Sequence, residues 1–73
     1  MNEKMQILYM QVRMIRLASK EWNLSIDKVK RIFIDNKVFG FIKDCWDIFH
    51  VEGDLAVLED IKVYLENKGV FHD

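Results

Sequence analysis

Three features of this sequence predict an all-α fold. Apolar residues recur at helical spacing through nearly the whole chain. There is no proline, and the three glycines leave little of the turn chemistry that a β-sandwich needs. Short polar breaks separate the periodic segments, at Asn23-Leu24-Ser25, Asn36-Lys37 and His50-Val51-Glu52-Gly53, with no repeat and no linker. Residues 1–73 therefore read as a single helical domain: a compact array of about four helices with a helix-turn-helix-like middle pair.

Helix one is expected from about Asn2 to Glu21. It carries two apolar stripes, which is one more than a surface helix needs. Met5, Leu8, Val12, Ile15 and Trp22 form the first, and Ile7, Met10, Met14 and Leu17 the second. Gln6, Arg13, Arg16 and Lys20 complete the circumference. The core accounts for Leu8 and Trp22, so the second stripe is the candidate partner-binding surface. Its flexible methionines suit an adaptable interface. The competing reading buries this stripe between helices of the same domain.

Ser25 is a good N-cap for helix two, and Leu24 is placed to pack on Val29 as a hydrophobic staple. Helix two then runs from about Ile26 to Asn36. It turns Ile26, Val29, Ile32 and Phe33 inward, with Asp27–Arg31 and Arg31–Asp35 at pairing distance on the wet side. Helix three runs from about Phe39 to Phe49, with Val38, Ile42, Cys45 and Phe49 as its main stripe. Asp54 is available to cap helix four, from about Leu55 to Lys68. The run Leu55-Ala56-Val57-Leu58 would also suit a strand, but no second strand is available to pair with it. Gly69 fits the position after the helix end, with Val70 returning to Leu65.

Composition excludes several classes. Seventy-three residues with 51% hydrophobic content are too apolar for a disordered tail. A lone cysteine excludes a disulfide-stapled miniprotein and a multi-cysteine zinc site. No apolar run reaches the roughly 18 residues of a membrane span. The N-terminus lacks a secretory pattern, so a cytoplasmic location is expected. The net charge of −1 hides an asymmetry. Residues 1–37 hold eight basic and four acidic side chains, a balance of +4; residues 38–73 hold three and eight, a balance of −5. Such halves attract a like molecule or a charged partner.

The stretch from Leu24 onward resembles the short bacterial proteins of domain-of-unknown-function family 3791. The resemblance rests on Asn23-Leu24-Ser25, on Phe39 to Cys45, on Trp46-Asp47-Ile48-Phe49-His50, on Gly53 and on Glu59-Asp60-Ile61. The spacing of His50, Gly53 and Asp60-Ile61 is its most distinctive part. The family usually has Leu-His-Thr where this chain has Phe49-His50-Val51, so no hydroxyl follows His50 here. The resemblance implies no established activity. Because members are often encoded beside proteins resembling ADP-ribosyltransferase toxins, it implies a small partner-binding or antitoxin-like role. It also favours Asp60 as a residue that pins the 50–54 loop.

His50 falls at the predicted end of helix three, where the helix dipole favours imidazolium. As a ligand or acid–base group it would work with Asp47 one turn earlier and Glu52 or Asp54 in the loop. His72 lies in the terminal tail. A Cys45–His50 nucleophile pair is opposed by about 140° of helical rotation between them. The predicted second helix of the helix-turn-helix pair offers Lys43, Asp44 and Asp47, and two carboxylates are repelled by phosphates. DNA binding is therefore the alternative to protein binding, and nucleic acid is the less favoured partner. Arg13, Arg16 and Lys20 read as a solvated basic face, with no membrane role. No phosphate loop, catalytic constellation or metal motif is present, so neither an enzyme nor a cofactor is expected. The predicted function is a small interaction module that binds another protein or forms a homodimer.

Overall fold

A computed structural model gives the fold of residues 1–71. Five helices follow one another: α1 (Glu3–Trp22), α2 (Ile26–Asp35), α3 (Val38–Asp44), α4 (Trp46–Phe49) and α5 (Asp54–Asn67). No strand occurs among the described residues, and Leu55-Ala56-Val57-Leu58 is helical. The long α1 is the spine on which α2, α3 and α5 pack.

Local chemistry sets most of the boundaries. Asn2 Oδ1 accepts the Met5 N–H and Ser25 Oγ accepts the Lys28 N–H, so each caps its helix with a side-chain oxygen. Asn23 ends α1 in the left-handed region at φ 55°, and the Leu24 N–H donates back to the Ser19 carbonyl. A Schellman motif ends α5. Gly69 stands at φ 79°, its N–H donates to Glu66 and the Val70 N–H donates to Leu65.

Two boundaries differ from the sequence-based expectation. The expected helix three is broken at Cys45 into α3 and the single turn α4. Gly40 and a run of aromatic and β-branched residues give this segment weak intrinsic helicity, so packing decides its path. The break accompanies burial of Trp46 and Phe49 in the core, while Cys45 remains half-buried. Asp54 does not cap α5 either. Gly53 occupies the N-cap position, and the Asp54 carboxylate turns to Arg13 instead.

The core is entirely apolar. Ile7, Met10, Met14 and Ala18 of α1 meet Val29 and Phe33 of α2, Val38 and Ile42 of α3, Trp46 and Phe49 of α4, and Val57, Leu58, Ile61 and Leu65 of α5. Aromatic edges tie its far end, with Trp22 set edge-on to both Phe33 and Phe71. Side-chain bonds to backbone hold the helices in register. Gln11 Nε2 donates to the Phe39 carbonyl at 3.0 Å, and the Tyr64 hydroxyl donates to the Asn36 carbonyl at 2.8 Å.

Candidate functional site

The Ile7, Met10, Met14, Leu17 stripe, expected to be a docking surface, lies inside the domain. Ile7, Met10 and Met14 are 9%, 3% and 0% exposed, and Leu17 is half-buried against the core. The first stripe carries the exposed residues instead, with Met5 at 38%, Leu8 at 47% and Val12 at 41%. Tyr9 and Met1 extend the same face.

Packing explains the exchange, because both stripes alternate steps of three and four residues and only the placement of α2, α3 and α5 decides which one is covered. Ile7, Met10, Met14 and Leu17 are spaced three, four and three residues apart, and Ala18 joins them against the core. Met1, Met5, Leu8, Val12 and Ile15 are spaced four, three, four and three residues apart, a period of 3.5. On a straight helix that line drifts by about 20° per heptad. It therefore starts outside at Met1 and Met5, and reaches partial burial by Ile15 and Trp22.

Cations border this face on its Lys4 side, whereas Glu52 lines the cleft that Met1 and Tyr9 share with Arg13 and His50. A groove of about 290 Å³ is lined by Lys4, Met5, Ile7, Leu8, Gln11 and Lys43. Two lysines border it and no carboxylate does. Arg16 and Lys20 are exposed farther along α1. Arg13 is already engaged, as its Nε and Nη2 donate to the two Asp54 oxygens at 3.1 and 3.2 Å. That is the one ion pair among the described residues, so the expected Asp27–Arg31 and Arg31–Asp35 pairs are not formed. Sequence reasoning missed Tyr9 and Lys43. Spacing carried no signal for the face, since both stripes share it, and Lys43 joins it only through the α1–α3 packing.

The residues around His50 are less concentrated than the sequence suggested. His50 is exposed and lies stacked on Trp46 with ring centroids 5.7 Å apart. It lines an open cleft of about 330 Å³ with Gln6, Tyr9, Arg13, Trp46 and Glu52. Asp47 is exposed and makes no side-chain hydrogen bond to His50. Gly53 serves as the N-cap of α5. Asp60 makes no bond to His50 or to a backbone donor of the 50–54 loop, and meets that loop through the Glu52 side chain. Its neighbour is another carboxylate: burial, then the Asp60 charge and a hydrogen bond to Asp60, raise the Glu52 carboxyl above its usual range. Burial first, then the charges of Asp44 and Asp60, raise the Cys45 thiol, which disfavours the thiolate a nucleophile needs. No group of three metal-ligating side chains converges among the described residues, and His72 lies outside them.

No helix among the described residues is long and apolar enough to cross a membrane. A family model described as "Protein of unknown function (DUF3791)" matches residues 9–68. No curated protein and no solved structure matches the chain.

Proposed function

The chain belongs to the DUF3791 family, and we propose that it is a small cytoplasmic module that binds a protein partner through the outer face of α1. The observation that carries this reading is the exposure of Met5, Leu8 and Val12 on one helix face beside unpaired cations. Burying such a side chain completely is worth about 1.5–3 kcal/mol, so the exposed half of each offers roughly 1 kcal/mol. Three together supply about a hundredfold in affinity before ordering costs. The reading assigns no catalysis to the chain.

An antitoxin-like partnership with a toxin-like neighbour is the specific form that the family resemblance supports. Co-expression of the two proteins, with an affinity handle on one, tests it. The wild-type pair should co-purify, and Leu8→Asp with Val12→Asp should lose the partner while keeping its helical circular dichroism. Retention of the partner by that folded variant would refute docking through α1. Solution mass over a concentration series separates a hetero-partner from a homodimer. A retardation assay with duplex DNA tests the helix-turn-helix alternative, whose signature is steeply salt-dependent binding.

A further inference from the structure

We infer that the occupant of the α1 face is an amphipathic helix of a partner protein that carries carboxylates on both sides of its apolar seam. This rests on the reading that α1 is the docking face and adds the chemistry of what docks there. Met1, Met5, Leu8, Val12 and Ile15 repeat at the a and d spacing of a coiled coil, which presents knobs to the holes of a second helix. The helical part of the seam, from Met5 to Ile15, is about 15 Å long, so it engages roughly three turns of a partner helix.

The flanks choose the partner's charge. Lys4 and Gln11 border the seam on one side, and Tyr9 and Arg16 on the other. Lys43 reaches the same groove from α3. The one ion pair among the described residues uses Arg13, so Lys4, Arg16 and Lys43 have no carboxylate within salt-bridge distance there. A second copy docked by the same face would bring six such cations to one seam, against the one Glu52 that each copy places in the cleft beside Met1 and Tyr9. Glutamates or aspartates at the flanking positions of a foreign helix would answer them, and would also steer its approach.

Two synthetic helical peptides of about four turns provide the probes. Both carry leucine at the seam positions; one has glutamate at every flanking position and the other lysine. Calorimetric titration into the full chain should show the glutamate peptide binding about tenfold or more tighter than the lysine peptide. Its advantage should shrink as salt is raised. Leu8→Asp should abolish binding, and Lys4→Glu with Lys43→Glu should reverse the preference, with thermal unfolding confirming that both variants are folded. Equal or tighter binding of the lysine peptide overturns the inference. So does failure of both peptides, or glutamate-peptide binding that survives Leu8→Asp. Leu8-dependent sedimentation with vesicles of phosphatidylcholine and phosphatidylserine, without peptide binding, would replace the acidic helix by an anionic membrane. The co-expression assay does not depend on these peptides, so the docking face and its charge preference stand or fall separately.

Discussion

Met14→Asp should unfold the domain, while Leu8→Asp on the same helix should leave it folded. Met14 is fully buried on α1, in a core with no polar or charged side chain. Truncating such a methionine to alanine costs about 2–5 kcal/mol. Aspartate removes the same volume and also places an unpartnered carboxyl in the core, which adds several kcal/mol whether it ionises or takes up a proton. A domain of this length has roughly 4–11 kcal/mol of stability in all. The penalty is therefore comparable with the whole. Leu8 is 47% exposed, so its replacement forfeits about 1 kcal/mol of burial and about 0.5 kcal/mol of helix propensity. Urea titration followed by far-ultraviolet circular dichroism reads both, with Met14→Ala as an intermediate step. A Met14→Asp protein with the wild-type midpoint, or a Leu8→Asp protein unfolded in buffer, would show that the two faces of α1 have been assigned the wrong way round.

Two further outcomes follow from single groups. Tyr64→Phe removes the hydroxyl that donates to Asn36 while keeping the ring stacked on Phe41, so it should lower stability by about 1 kcal/mol in urea; an unchanged midpoint would mean that water serves both groups equally well. Glu52 has a raised carboxyl pKa in the folded chain. The native state therefore holds more protons than the unfolded state just above the usual glutamate range, and stability present in acid falls as pH rises through the raised value. Glu52→Gln should raise the urea midpoint at neutral pH and leave it unchanged below the carboxylate range; a lower midpoint at neutral pH would show that the charge is favourably held.

The helices that carry their own punctuation were legible. Ser25 and Gly69 announce a start and a stop through backbone chemistry that acts within a few residues, and the structure places both as read. The division at Cys45 had no such mark, because it is settled by how Trp46 and Phe49 reach a core built from distant parts of the chain. The two stripes of α1 show the same limit differently. Each is apolar, and helical spacing alone does not say which one meets α2, α3 and α5. Both step alternately by three and four residues, so their periods do not separate them either, and the choice is made by helices distant in sequence. At the 50–54 loop, spacing brought His50, Gly53 and Asp60 to notice but did not reveal that Asp60 would face Glu52. The family match adds a boundary of its own. It begins at residue 9, so Met10, Met14 and Ala18 lie within it, whereas Met5 and Leu8 precede it.

Phe71 rests edge-on against Trp22, with ring centroids 5.1 Å apart, at the C-terminal end of α1. Twenty residues of helix put that point about 30 Å from the first turn. A tether attached after Phe71 thus leaves from the pole opposite Met1 and Met5. A fluorophore or affinity handle carried there keeps clear of the docking face, whereas the same group fused ahead of Met1 shadows it. Immobilised by that far pole, the domain stands upright, with α1 as its mast and the apolar seam held out toward solution.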